Sequence, residues 1–198
     1  MGKSLNYKLK IVFLIVLEAI FCFTPLGNIP IGPIVATTAM IPVIVASLSL
    51  GASSGMIVGF FCGLFAFLIW TFIPPNPSLA FIFTPFYKFG DFNGNFRSII
   101  ICFVPRILAG YLPSVIKKNS SYFIRVVVAS MAGSFTNTVL VTFLIFVFFR
   151  NEYGYVLGQQ IISIILYSVF INGTLEMIIC GLVCPVISRL LFKIGFSK

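Results

Sequence analysis

Apolar positions run along this chain in long unbroken stretches, with no alternation of the kind a strand facing water on one side would show. Ile99 to Ile116, Ile124 to Phe149 and Ile161 to Ile187 each carry no more than one or two ionisable residues. About 20 such residues make a helix that crosses roughly 30 Å of hydrocarbon. Continuity also argues against a membrane barrel, whose strands alternate apolar and polar positions. Six helices are expected, at 9–23, 35–50, 55–73, 98–117, 122–149 and 158–192, in one all-α polytopic membrane domain spanning 1–198. The first run lacks a small-residue cleavage site and continues into Thr24-Pro-Leu-Gly-Asn-Ile-Pro-Ile-Gly-Pro33, so it reads as a retained helix and not as a signal peptide. A tight Gly51-Ala-Ser-Ser-Gly55 turn joins helices two and three, and a long loop opening Pro74-Pro-Asn-Pro77 joins three and four. A loop of that length in a small membrane protein usually covers something.

Composition sharpens the picture: a mean hydropathy of +1.14 with 9% charged residues leaves too little polar surface to solvate a globule. The net charge of +9 is spread over the ends of the apolar segments and forms no basic patch interleaved with aromatics, so it speaks of topology and not of nucleic acid. With the amino terminus in the cytoplasm, Lys3, Lys8, Lys10, Lys117, Lys118, Arg125, Arg189, Lys193 and Lys198 lie inside, and only Lys88, Arg97 and Arg150 lie outside. Both termini are therefore expected to be cytoplasmic. Five cysteines sit within apolar runs as small hydrophobes. With no histidine and no Cys-x-x-Cys, neither a metal nor a cofactor is expected, although Cys180 and Cys184 share a helix face. No Gly-x-x-x-x-Gly-Lys-Ser/Thr loop is present, so the chain cannot hydrolyse ATP by itself. Nor is there a nucleophile and base set to suggest an enzyme.

Charge inside hydrocarbon marks the candidate site. Arg106, directly after Pro105 in helix four, and Glu176 in helix six would each cost at least about 2.5–3.5 kcal/mol facing lipid, so both should face the bundle interior. They could neutralise each other, or Arg106 could meet an anionic group of a ligand with its planar fork of donors. Asn137 and Asn172, the latter one turn from Glu176, could bond across helices or contact a ligand. Thr37 and Thr38 begin helix two, where a hydroxyl could cap it. Glu18, on the outer half of helix one, ranks lower because it could simply reach the interface. Gly55, Gly59 and Gly63 recur every fourth residue of helix three, allowing close approach of another helix, inside the chain first and on a partner second.

These features together resemble the substrate-binding S component of bacterial energy-coupling factor (ECF) vitamin transporters. Phe23 to Pro33, Ala36-Thr-Thr-Ala-Met-Ile-Pro-Val-Ile-Val45, Leu50 to Gly55, Phe83-Thr-Pro-Phe86, Phe103-Val-Pro-Arg-Ile-Leu108, Thr136-Asn-Thr-Val-Leu140 and Asn172-Gly-Thr-Leu-Glu176 are most similar to the pantothenate-type members. The resemblance implies a vitamin bound from outside and handed on through an ECF module of a transmembrane T component and two ATPase subunits, in the bacterial cell membrane. It implies Arg106, Asn137, Asn172, Glu176, Thr37, Thr38, Thr136 and Tyr87 as the substrate-binding set. Docking to the T component is expected on helix one, where the family usually carries Ala-x-x-x-Ala; here Ala19 has no matching small partner. A carboxylate, an amide, two hydroxyls and a geminal dimethyl group make pantothenate a fitting ligand for these residue types, and folate or another carboxylated vitamin could use the same set. A stand-alone secondary transporter would more naturally carry inverted repeats, and none is evident.

Overall fold

The computed structural model describes residues 2–31, 34–118, 122–158 and 161–196. Helix α1 runs Gly2–Phe23, α2 Met40–Leu50, α3 Ala52–Phe72, α4 Phe96–Lys117 and α5 Phe123–Leu157. The last span is built from α6, Ile161–Tyr167, a π-helical turn Ser168–Asn172, and α7, Gly173–Lys193. Among the described residues, four stretches, in α3, α4, α5 and the π turn with α7, are long and apolar enough to cross a membrane.

Helix α2 is the central post: every residue from Met40 to Leu50 is buried. Such an all-round apolar helix has no polar face to offer and must be surrounded by others. It is shorter than the expected 35–50, because Ile34–Thr37 (β2) pairs antiparallel with Asn28–Ile31 (β1) in a hairpin instead. Short β-branched runs satisfy strand and helix alike, which is why periodicity alone misplaced this boundary. Consistent with the shift, the helix begins behind Ala39 without a side-chain cap, so neither Thr37 nor Thr38 caps it. Gly51, at φ +98°, separates α2 from α3 in a single residue, a conformation that favours glycine.

Helices α3 and α4 meet backbone to backbone. A Cβ on Gly55 would strike the Gly110 carbonyl, one on Gly59 the Arg106 carbonyl, and one on Gly63 would lie 2.9 Å from the Cys102 carbonyl oxygen. The glycine stripe is thus filled from within the chain by α4, and this approach fixes the height of Arg106 against α3. Helix α4 starts where the Asn95 side chain accepts from the Arg97 backbone N–H (2.9 Å) and the Ser98 hydroxyl takes the Asn95 N–H (3.3 Å), a capping box. Helix α1 begins at Gly2, ahead of the expected 9, and two further helices depart from the expected boundaries. Helix α5 continues past a non-helical residue at Phe149 to Leu157, and the expected 158–192 helix is interrupted by its π turn.

The long loop after α3 folds back over one end of the bundle. Its 3-10 turn Pro77–Ile82 buries Phe81 and Ile82 beside Ile101, Ile145 and Phe149, and Phe83 stacks on Trp70 at 4.5 Å. A second small hairpin follows, with Lys88–Phe89 as β3 and Phe92–Asn93 as β4.

Candidate ligand-binding cavity

A cavity of about 590 Å³ opens at the end of the bundle that carries the β1–β2 hairpin and the 76–95 loop. Thr37 and Met40 bound it on one side, Trp70, Pro75 and Phe83 form its roof, and Val141 and Ile145 supply an apolar wall. The expectation that the long loop covers something is met by Pro75 and Phe83.

Arg106 lines this cavity, and its environment follows from the residue before it. Pro105 has no N–H, so the carbonyl four residues back, Ile101 O, loses its helical donor. The Arg106 guanidinium supplies the replacement, with Nη1 donating to Ile101 O at 2.7 Å. One of five guanidinium donors is spent this way, which leaves four for the cavity. Glu176 also lines the cavity and is 5% exposed. It makes no ion pair with Arg106; its oxygens accept from the Thr37 backbone N–H (3.2 Å) and the Thr138 hydroxyl (2.7 Å). One carboxylate therefore ties the hairpin to α5 and α7, and Arg106 and Glu176 face the same cavity without a direct bond between them.

Asn137 and Asn172 complete the polar lining. The Oδ1 atom of each is buried and has no hydrogen-bond partner in the described structure. A buried acceptor without a donor costs about 1–3 kcal/mol, so these are groups poised for something that fills the cavity. Asn172 stands at the end of the π turn, and π turns are frequent at functional sites.

Not every expected residue reaches the cavity. Thr38 is buried and donates its hydroxyl to Leu26 O, holding the base of the hairpin. Thr136 donates to Ala132 O one turn back in its own helix (2.7 Å), and Tyr87 lies in the loop beyond the lining, its carbonyl accepting from the Gly94 N–H (3.0 Å). Ala19 is half-buried on α1, whose outer face shows Val12, Phe13, Val16 and Ile20.

Sequence reading missed Thr138, Thr142, Tyr153 and Ser168, all on the wall. Thr138 could have been found, since it sits one residue from Asn137. Tyr153 could not, because it comes from the part of α5 beyond Phe149, where the sequence predicts a loop. Glu18, expected to reach the interface, is instead fully buried next to Cys22 and Cys62.

Among curated proteins, the chain is 28% identical over 190 residues to "Pantothenic acid transporter PanT" of Lactococcus lactis subsp. cremoris (strain MG1363), covering 95% of this chain and 96% of that one. Among solved structures, ThiT from Listeria monocytogenes superposes with a TM-score of 0.57 over 96% of this chain and 97% of its own, at 16% identity, a likeness of fold. The model of the family described as "ECF transporter, substrate-specific component" matches residues 9–188, and the chain belongs to that family.

Proposed function

We propose that this subunit captures pantothenate at the outer side of the bacterial membrane and presents it to a transmembrane T component and two ATPase subunits that drive uptake. The observation that carries the reading is the pairing of Arg106, with donors to spare, and the unpartnered Asn137 and Asn172 acceptors in one cavity. Arg106 takes the carboxylate, the two amide oxygens accept from the ligand amide and hydroxyls, and Val141, Ile145 and Met40 receive the geminal dimethyl group. A pocket of about 300–1,000 Å³ with few polar groups on apolar walls is what small-molecule recognition uses, and this one falls in that range. The Lactococcus relative's name supports the same cargo.

For topology, the reading adds α1 and α2 to the four long apolar stretches, giving six passes with both termini cytoplasmic. Helix α2, with 11 residues, spans only about 16 Å. Its hairpin completes that pass, which is tolerable at membrane depth because it borders a cavity and protein rather than lipid. The basic residues gather at one end: Lys10 donates to Gly195 O (3.0 Å) and Lys117 to Leu48 O (2.7 Å), so the helix ends opposite the cavity are knit by lysines of the inner side.

The single tryptophan, Trp70, lies on the cavity roof and provides the test. Its fluorescence in the purified chain should change saturably on titration with pantothenate and remain flat with thiamine or folate. A saturable response to either of those and none to pantothenate would overturn the assignment of cargo.

A further inference from the structure

A second constellation on the cavity wall is left unused by vitamin binding. Glu18 and Cys22 lie one turn apart on α1, and Cys62 faces them from α3; one ligand atom from each lies within 4.8 Å of the other two. Glu18 is 0% exposed, its Oε1 accepts from the Cys22 thiol at 3.2 Å, and its Oε2 has no hydrogen-bond partner in the described structure. A buried carboxyl served by a thiol, a weak donor, is poorly compensated as it stands.

Two sulfurs and a carboxylate are a donor set for zinc-like ions rather than for calcium or magnesium, which take oxygen. A tetrahedral ion with metal–sulfur bonds of about 2.3 Å sets its sulfurs about 3.8 Å apart, so rotamer adjustments of about 1 Å close the present spacing. Cys22 and Cys62 both line the cavity, which gives the fourth coordination position somewhere to open. The other close thiol pair, Cys180 and Cys184, lies in the core of the bundle away from the cavity lining.

We propose that Glu18, Cys22 and Cys62 bind one thiophilic divalent cation of the zinc class at the cavity wall, through two thiolates and a carboxylate, with a fourth position open to the cavity. The site stands whatever the cargo of the subunit is. Its ligands must be deprotonated, so binding releases protons and strengthens as pH rises.

Cadmium is the probe of choice, because its thiolate complexes absorb in the ultraviolet. Titration of the reduced, full-length chain in detergent should saturate at one cadmium per chain, with proton release. Cys22→Ser and Cys62→Ser should each roughly halve the band and weaken binding by more than the 10–100-fold typical of merely supporting partners. Glu18→Gln keeps the size of the side chain and should leave the band while weakening binding by more than that same 10–100-fold, which makes it decisive should a serine variant fail to fold. Cys180→Ser/Cys184→Ser should bind as the parent does. A band that survives Cys22→Ser/Cys62→Ser, a band abolished by Cys180→Ser/Cys184→Ser, the absence of any band, unaltered affinity in Glu18→Gln, or recovery of Cys22 and Cys62 as a disulfide would each overturn the proposal.

Discussion

Removing Arg106 should do two separable things, and the residue before it makes the separation possible. In Arg106→Met the cavity loses its cation, and Ile101 O loses the donor that replaces the missing Pro105 N–H. The first loss is a charge-assisted bond to a ligand carboxylate, worth about 1.5–3 kcal/mol or roughly a ten- to hundred-fold rise in Kd. The second strands an acceptor and costs about 1–3 kcal/mol of stability. Pro105→Ala restores a backbone N–H to Ile101 O, so in that background Arg106→Met should destabilise little yet weaken the vitamin as much as before. Thermal melting reports the stability cost, and titration of Trp70 fluorescence reports the affinity. If Pro105→Ala/Arg106→Met bound pantothenate as tightly as Pro105→Ala alone, Arg106 would be a helix repair and nothing more, and the carboxylate would have to be placed elsewhere.

Gly59→Ala should lower the melting temperature by the equivalent of about 1–3 kcal/mol, since the new methyl meets the Arg106 carbonyl and the backbone must separate; an unchanged melt would mean that α3 and α4 are not so close. Asn137→Leu should melt no lower than the parent while binding pantothenate about tenfold more weakly, because it removes an unpaired buried acceptor along with a ligand contact. Single cysteines placed at Ser4 or Ser197 should label only from the cytoplasmic side, and one at Lys88 only from outside; labelling of either terminus in intact cells would break the six-pass topology, Ser197 itself lying outside the described residues. Liposomes holding the purified subunit alone should show no concentrative vitamin uptake until the ATPase module is added with ATP, and accumulation without it would favour a secondary transporter.

Much of this arrangement was legible in the residues because hydrocarbon is a strict solvent. The long apolar runs gave α3, α4, α5 and α7, and the cost of intramembrane charge singled out Arg106 and Glu176. Amides at membrane depth singled out Asn137, and Asn172 one turn from Glu176. What escaped was set by tertiary context. Strand β2, Ile34–Thr37, lies in an apolar run whose local preference fits a helix equally well, and its pairing carried Thr37 to Glu176 and Thr38 away from any capping role. Tyr87 and Thr136 have the right chemistry and the wrong direction, which no spacing rule on one chain reveals. Glu18 looked interfacial from its position on α1 alone, whereas the packing of α3 against that helix seals it beside two thiols.

Three of the places where regular helix fails lie at or beside the site, whereas Pro113 and Pro185 interrupt α4 and α7 away from its lining, and one cause connects the three. Within hydrocarbon every backbone carbonyl needs a donor, so an interruption survives only where a side chain, the cavity or a ligand compensates it. Pro105 interrupts α4 and is compensated by Arg106, which is thereby held at the cavity wall. The Ser168–Asn172 π turn interrupts the last span and ends on Asn172, whose own acceptor is left unmet. Phe149 breaks the regular course of α5 ahead of Tyr153, a third element of the lining. A ligand that satisfies Asn137 and Asn172 removes costs the unliganded bundle carries, so binding and stability are coupled by RT ln(1 + [L]/Kd), about 2.7 kcal/mol at a hundred-fold excess over Kd. The vitamin should therefore raise the melting temperature of the parent, and the rise should shrink in any variant that removes one of those acceptors.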